Sequence, residues 1–320
     1  MKQYIQLGKK ILKNGRWKTA ARENMPRTLS ISSARMEHDL EKGFPLLTTK
    51  KMYMEGIFYE LIWILSGDTN IKYLVDNDTN IWNKDAYKWY LEYTKTMVEP
   101  DYEYLIDDHI QNKSRVFTMN EFISQIKRDE LGTRNDYKLG DLGKVYGHQW
   151  RNQNGVDQIR NLIKGIETNK FSRYHIIDAW NMVDVPQMAL PPCHLLYQFI
   201  VRPEKSGDRL DLNMYQRSGD TALGIPYNWA SMALLTHLIA KLMNMVPGKI
   251  YWSGGDTHLY ESHIEIFLKQ IKRRPKKLPT FKINKRINNF NDVLKLKFED
   301  IEIKNYKSHP RIKYELSVGL

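Results

Sequence analysis

The chain has 320 residues, of which 42% are hydrophobic, so it can bury a core as one large domain or two small ones. Its single cysteine, Cys193, cannot form an internal disulfide, and the N-terminus lacks the apolar run of a secretory signal, so we expect a cytoplasmic protein. We expect no membrane span, because no apolar stretch approaches the roughly 20 residues that cross a bilayer. The net charge of +12 favours an anionic partner, either nucleic acid or a small phosphorylated or carboxylate substrate.

The first predicted element is an apolar helix over residues 54–65, MEGIFYELIWIL. Apolar residues lie on most of its faces, which is typical of a buried helix, and SGDTN marks its end. One carboxylate, Glu60, interrupts the helix. Because burial of a carboxylate is costly, Glu60 needs a specific reason to be there.

Residues 83–141 are polar and charged, and they show no sustained periodicity apart from a short helix predicted within MNEFISQIKRD (119–129). Such a segment is typical of a surface insertion. We therefore predict a single domain over residues 1–320 with a variable surface insertion at about 83–138.

Cys193 follows two prolines and precedes a predicted β-hairpin. LLYQFIV (195–201) is rich in strand formers, RPEKSGD is typical of a turn, and RLDLNMYQ (209–216) alternates apolar and polar residues. An antiparallel hairpin returns the chain to its start, so Cys193 is expected to lie beside the residues after the second strand. These are Arg217, Ser218 and Asp220.

The cysteine itself has two interpretations. A free cysteine is most often an inert, small buried hydrophobe. A cation such as Arg217 beside the thiol would instead lower its pKa and favour the nucleophilic thiolate. The prolines lock φ and would fix the backbone that presents the sulfur.

A second apolar helix is predicted over residues 229–245, with Pro247 and Gly248 as its stop. The basic run KQIKRRPKKL (269–278) then follows an apolar periodic segment. It is interpreted either as a solvated helix end or, over residues 269–290, as a surface for RNA, although no recognised nucleic-acid motif accompanies it.

Seven motifs occur in the order and approximate spacing of the thymidylate synthase family, which the chain closely resembles. They are GFPLLTTKK (43–51), ELIWILSGDTN (60–70), NIW (80–82), GDLGKVYGHQWR (140–151), ALPPCH (189–194), YQRSGDTALGIPYNWAS (215–231) and GGDTHLY (254–260). Several motifs in one order are far more specific than a single pattern. The resemblance implies an α/β (α+β) fold, a large mixed sheet with buried helices, assembled as a homodimer through the sheet face.

Members of this family transfer a one-carbon unit from 5,10-methylenetetrahydrofolate, a co-substrate, to C5 of dUMP, without a metal. The resemblance implies that Cys193 is the nucleophile that adds to C6 of the pyrimidine. Glu60 would manage protons at O4 through ordered water, since burial raises the pKa of a carboxyl group. Tyr146 and His194 would support this polar network, and Asn228 would read the uracil edge.

The resemblance also implies how the nucleotide is bound. Arg217 and Ser218 would contact the phosphate, together with Arg173 donated across the dimer interface. His258 and Tyr260 would hold the 3′-hydroxyl of the deoxyribose.

The folate site follows in the same way. Asp220, counted among the catalytic residues, would hydrogen-bond the pterin, and Trp82 would form an aromatic wall, with ordinary core packing as the alternative for Trp82. The chain ends in YELSVGL rather than in the short tail usual for the family, and that tail closes over the folate in relatives.

The phosphate site departs from the family pattern at two places. The usual second arginine of a pair is replaced by Tyr174, which follows Arg173. The arginine loop near the N-terminus reads ARENMPRTLS, so either Arg22 or Arg27 must contact the phosphate.

Three alternatives stand beside a thymidylate synthase. A hydroxymethylase of the phage type, acting on dUMP or dCMP, would add water instead of hydride to the methylene intermediate. A non-catalytic family member is disfavoured because Cys193, Glu60, Arg217, Asp220 and Asn228 are all present. RNA binding is the third alternative, as a second activity.

Overall fold

A computed structural model describes residues 1–19, 25–96, 116–128, 137–205 and 207–314. Within these ranges the helices are α1 (Lys2–Asn14), α2 (Met54–Ser66), α3 (Lys72–Asp76), α4 (Asn83–Thr96), α5 (Met119–Arg128), α6 (Tyr146–Asn152), α7 (Gln158–Asn169), α8 (Gly224–Leu242), α9 (Ile264–Ile271) and α10 (Phe290–Leu294). The strands are β1 (Arg16–Lys18), β2 (Thr28–Asp39), β3 (Ile176–Asp178), β4 (His194–Arg202), β5 (Arg209–Asp220), β6 (Val246–Tyr260), β7 (Thr280–Ile283) and β8 (Ile301–Lys304).

The main sheet has six strands in the order β1-β2-β6-β5-β4-β3. Only the β5–β6 pair is parallel among these strands, because helix α8 carries the chain from the end of β5 back to the start of β6. The other pairs are antiparallel, so the sheet is mixed, and β7 and β8 form a separate antiparallel pair. The predicted fold class, α/β on a large mixed sheet, is confirmed.

One face of the sheet is covered by helices. In β4 the side chains of Tyr197, Phe199 and Val201 are buried, whereas Leu196 and Ile200, at the alternate positions, remain partly exposed on the other face. Helix α8 packs on β5 and β6, and α1 packs on β2. Helix α2, which carries Glu60, lies against both α6 and α8.

The predicted elements are found with small changes in their bounds. The apolar helix is α2, and the hairpin is β4 and β5. The helix predicted over 229–245 begins earlier, at Gly224, and ends at Leu242. Pro247 is not part of its stop but lies in β6, opposite Leu210, where a parallel ladder has just begun.

The segment 83–141 contains the predicted helix, α5, and also α4, which the sequence analysis did not predict. Helix α4 buries Ala86 and Tyr90, four residues apart, and Tyr90 packs against Phe122 of α5 with ring centroids 5.1 Å apart. The many charged residues between these positions hide the apolar stripe, which is why no periodicity is evident. Among the described residues, no helix is both long and apolar enough to span a bilayer.

Candidate active site

Cys193 is held at the start of β4 by hydrogen bonds on both sides of its backbone. Its N–H donates to the Tyr146 hydroxyl over 2.6 Å, and its carbonyl accepts from the Arg217 N–H over 2.8 Å. The ladder shifts register between His194 and Leu196, which takes the first residues of β4 out of regular pairing. The half-buried thiol is thus presented from a fixed backbone position.

The guanidinium of Arg217 holds the proline loop that precedes Cys193. Its Nε donates to the Pro192 carbonyl over 2.7 Å and its Nη2 to the Pro191 carbonyl over 2.8 Å, while the group lies 5.4 Å from the ring centroid of Trp180. The hairpin therefore brings Arg217 beside Cys193 as predicted. A guanidinium has five N–H donors, and two of those of Arg217 bind carbonyls within the part of the chain that the structure describes, so donors remain for an anion.

Glu60 faces the site from the buried helix α2. Its Oε1 accepts a hydrogen bond from the Trp82 indole nitrogen over 2.9 Å. Burial raises the pKa of Glu60 to about 7, and the Trp82 hydrogen bond acts in the opposite direction. A carboxyl group with this pKa can accept or release a proton near neutral pH.

Trp82 is both a core residue and a neighbour of the catalytic candidates. It is buried, and its ring lies 5.7 Å from that of Trp63 and 6.0 Å from that of Tyr146. Its N–H binds Glu60. The core packing of Trp82 is confirmed, and its role as a wall of the folate site stays a prediction.

His194 lies between two tyrosines. Its ring stacks on Tyr146 with centroids 4.5 Å apart, and its Nδ1 is hydrogen-bonded to the Tyr197 hydroxyl. Burial lowers the pKa of His194 to about 4, so the imidazole is neutral at pH 7. A neutral ring in this position supports its neighbours rather than supplying a positive charge.

The amide of Asn228, on α8, is oriented by a residue that the sequence analysis missed. Its Oδ1 accepts from Nε2 of Gln216 over 3.0 Å, and Oε1 of Gln216 accepts from the Trp252 indole nitrogen over 2.9 Å. An indole N–H only donates, so this pair of hydrogen bonds determines the positions of the oxygen and the nitrogen in both side-chain amides. The alternation in the sequence could have indicated this role, because it places Gln216 on the inward face of β5, two residues after the buried Met214.

The predicted sugar and folate residues lie on the two parallel strands. Asp220 of β5 is paired in register with His258 of β6, and Ser218 is paired with Asp256 two positions earlier. His258 and Tyr260 lie on the same face, with ring centroids 5.2 Å apart. Candidate nucleotide and folate contacts therefore share one end of the β5–β6 pair.

The candidate phosphate-binding residues differ in their locations and in their partners. Arg27 is engaged by Glu261, with its Nε 3.0 Å from Oε2, and its guanidinium lies 4.7 Å from the Trp17 ring centroid. Arg22 lies outside the described residues. Arg173 and Tyr174 precede β3 on an exposed turn.

Two further features bear on the site: the C-terminal segment and the side chains that could bind a metal ion. Tyr314 is buried and donates to Gln270 over 2.5 Å, whereas residues 315–320, the rest of the altered tail, lie outside the described residues. In the described part of the chain, no three His, Cys, Asp or Glu side chains form a group that could hold a metal ion.

Comparison with known proteins gives one consistent result. The family model described as thymidylate synthase matches residues 2–318. A thymidylate synthase of Malacoplasma penetrans is 44% identical, and the match covers 99% of this chain and 100% of that protein. Those of Mycoplasma mobile and Mycoplasma pneumoniae are 43% and 41% identical with the same coverage of both chains.

Proposed function

The chain belongs to the thymidylate synthase family, and we propose that it converts dUMP and 5,10-methylenetetrahydrofolate to dTMP and dihydrofolate. The observation that carries this proposal is a set of contacts on a scaffold that matches the relatives over nearly its whole length. Cys193 bonds to Arg217 directly, and it is linked to Glu60 through Tyr146 and Trp82. Gln216, which is paired with His194 next to Cys193, bonds to Asn228. The hydroxymethylase is not favoured, because the relatives just described are all named for the other reaction.

Cys193 is the proposed nucleophile. Addition of its thiolate to C6 of the pyrimidine forms a C–S bond and moves an electron pair toward O4, so that C5 becomes nucleophilic toward the one-carbon unit. The Arg217 cation beside the loop favours the thiolate, and the fixed backbone directs the sulfur. C5 attacks the methylene carbon, and loss of the C5 proton then breaks the bond from that carbon to the folate nitrogen and leaves an exocyclic methylene on C5. Hydride transfer from tetrahydrofolate to this methylene breaks the C–S bond, which releases the thiolate, dTMP and dihydrofolate.

Glu60 and Asn228 are proposed to stabilise the charge that develops on the base. The carboxyl group, with its raised pKa, supplies or accepts a proton at O4 through water. Because Gln216 donates to Oδ1 of Asn228, the Nδ2 end of the amide is left to donate to O4. Tyr146 and His194 hold the surrounding network.

Arg217 and Ser218 are proposed to bind the phosphate, while His258 and Tyr260 bind the deoxyribose. Of the two N-terminal arginines, we assign the phosphate to Arg22. The support is that Arg27 already pairs with Glu261 through two hydrogen bonds.

The folate is proposed to lie against Trp82 and Asp220 as a co-substrate, with no metal in the reaction. The oxygen acceptors of Asp220 suit the donor groups of a pterin. The pairing of Asp220 with His258 in the sheet supports a shared site for the two substrates.

We propose a single domain that forms a homodimer through the open face of the sheet. One hydrophobic cluster extends from Tyr4 to Tyr314. On the open face, the partly exposed Leu196 and Tyr215 line a cavity of about 570 Å³, which a second copy would cover. Arg173, exposed before β3 at the edge of this sheet, would then reach the partner's phosphate site.

RNA binding by residues 269–290 stays a hypothesis. Part of this basic run is committed within the fold, since Arg273 donates to the Thr49 and Pro310 carbonyls and Lys276 to the Ser308 carbonyl. The salt dependence of binding, measured against a polyanion of equal charge, would separate specific contacts from bulk attraction.

Product identification tests the proposed function. With dUMP and methylenetetrahydrofolate, we expect dTMP and dihydrofolate in equal amounts, the latter followed by its absorbance. The appearance of tetrahydrofolate with 5-hydroxymethyl-dUMP would assign the chain to the hydroxymethylases instead. A Cys193→Ser variant, which retains the fold but not the thiol, is the matched control for background turnover.

A further inference from the structure

The turn Asp220–Ala222 joins β5 to α8 and carries the carboxylate that is proposed to contact the folate. Within the turn, the Ala222 N–H donates to Oδ1 of Asp220 over 2.9 Å. The Thr221 N–H donates to the His258 carbonyl over 2.8 Å. The first bond ties the Asp220 carboxylate to the peptide that joins Thr221 and Ala222, and the second bond ties the turn to β6. The direction of the carboxylate therefore depends on where the Thr221–Ala222 peptide is held.

Two residues from the N-terminal part of the chain hold the carbonyls of this turn. The Tyr4 hydroxyl, on α1, donates to the Thr221 carbonyl over 2.8 Å, and Nζ of Lys50 donates to the Ala222 carbonyl over 2.7 Å. Tyr4 is 4% exposed and Lys50 is 3% exposed. Both bonds are thus made away from water, where an unmade bond is costly.

The Tyr4 hydroxyl is itself fixed by a polar network beneath the turn. Nε2 of Gln270 donates to the hydroxyl over 3.5 Å and to Oγ1 of Thr49 over 3.1 Å. Oε1 of Gln270 accepts from the Tyr314 hydroxyl. Because Gln270 donates to the Tyr4 hydroxyl, the proton of that hydroxyl is directed at the Thr221 carbonyl. Burial raises the pKa of Tyr4 well above its ordinary value, so the hydroxyl keeps this proton.

We propose that Tyr4 is a positioning residue for the folate co-substrate, acting through the Thr221 peptide on the direction of the Asp220 carboxylate. This inference rests on the proposed function, because it takes Asp220 as the folate contact. The N-terminal helix then contributes to folate binding, although its tyrosine is buried beneath the turn. The nucleotide contacts depend on it less, since His258 is fixed within β6 by pairing to β2 on one side and β5 on the other.

The test uses Tyr4→Phe, which removes the hydroxyl and keeps the ring packed against Phe267. Binding of tetrahydrofolate to the enzyme–dUMP complex, measured by calorimetry, reports on folate without requiring turnover. We expect its Kd to rise roughly three- to tenfold, the equivalent of one buried hydrogen bond, while the Kd of dUMP alone changes by less than about twofold. In steady state, the KM for methylenetetrahydrofolate should rise more than kcat falls.

The matched control is Tyr87→Phe, which removes a tyrosine bond of 2.9 Å to the Phe117 carbonyl in the α4 region. An unchanged folate Kd in Tyr4→Phe would overturn the inference, as would an equal loss of dUMP binding or an equal folate effect in Tyr87→Phe. Failure of the proposed function would appear separately, as absence of dTMP from the unmodified enzyme.

Discussion

The Tyr146 hydroxyl accepts a hydrogen bond from the Cys193 backbone nitrogen over 2.6 Å, while its ring stacks on His194. One side chain at the start of α6 therefore fixes two successive residues at the start of β4. Burial raises the pKa of Tyr146 well above its ordinary value, so its hydroxyl keeps a proton that it can donate elsewhere.

Tyr146→Phe is expected to lower kcat by about tenfold or more with little change in dUMP affinity. The substitution leaves the partly buried Cys193 N–H without its acceptor, at a cost of roughly 1–3 kcal/mol that falls on the loop bearing the nucleophile. Stopped-assay rates and equilibrium dialysis provide the two measurements. Tyr306→Phe is the control, since Tyr306 likewise accepts from a backbone N–H, that of Met52, and an equal loss of kcat there would contradict the prediction.

Cys193→Ser is expected to abolish the covalent complex with 5-fluoro-dUMP and methylenetetrahydrofolate, because a serine hydroxyl is a far weaker nucleophile than a thiolate. Intact mass spectrometry of the unmodified enzyme should show the protein plus both ligands. The chain has one cysteine, so a thiol adduct has only one location. An adduct of the same mass on the serine variant would show that Cys193 is not the nucleophile.

Glu60→Gln is expected to stabilise the fold at pH 8 but not near pH 4.5. Burial raises the folded-state pKa of Glu60 to about 7 from an ordinary value of 4.5, so the folded protein holds a proton that the unfolded chain has released between these pH values. The contribution of Glu60 to the free energy of unfolding is therefore fully present below pH 4.5, and it is lost as the pH rises through 7.

The expected gain of the Gln variant at pH 8 is up to about 3 kcal/mol, read from urea unfolding at both pH values. Its activity should fall by about a hundredfold or more, since the proton at O4 is no longer managed. Equal stability of the two proteins at pH 8 would mean that Glu60 is better solvated than its position suggests.

Asn228→Asp is expected to shift the preference of the enzyme from dUMP toward dCMP. An amide matches the acceptor O4 and the donor N3–H of uracil, whereas a carboxylate accepts from the amino group of cytosine. The ratio of kcat/KM for the two nucleotides is the measurement. A ratio that stays as it is in the unmodified enzyme would indicate that Asn228 does not read the base edge.

Tyr174→Arg is expected to tighten dUMP binding by severalfold and to make that binding more sensitive to salt. A charge-assisted hydrogen bond to phosphate is stronger than a neutral one. Tyr174 is 89% exposed, so the substitution should not disturb folding. Weaker binding in Tyr174→Arg at low salt would show that the phosphate site is built around the tyrosine.

The sequence predicted those features that depend on local pattern. The apolar helix with Glu60 and the hairpin that brings Arg217 to Cys193 follow from period and turn residues within short windows. The contact of Tyr4 with Thr221 joins residues 217 positions apart, so no local pattern reports it. The engagement of Arg27 by Glu261, which favours Arg22 as the phosphate residue, is equally non-local.

Two predictions from local sequence were wrong or incomplete, because the same residue types occur in more than one kind of secondary structure. Pro247, interpreted as part of a helix stop, is the second residue of strand β6, near the strand start, where proline is tolerated. In α4, charged residues obscured a helix whose apolar contacts are mostly aromatic.

Arg217 is anchored to two peptide carbonyls, which carry no titratable proton. Had carboxylates served as its acceptors, acid would have released the arginine and with it the loop that bears the sulfur. The two hydrogen bonds that hold the loop before Cys193 therefore do not depend on the protonation of an acceptor. A change in turnover near neutral pH then reflects ionisation of reacting groups such as Glu60, whose pKa is raised to about 7, rather than loss of these two hydrogen bonds.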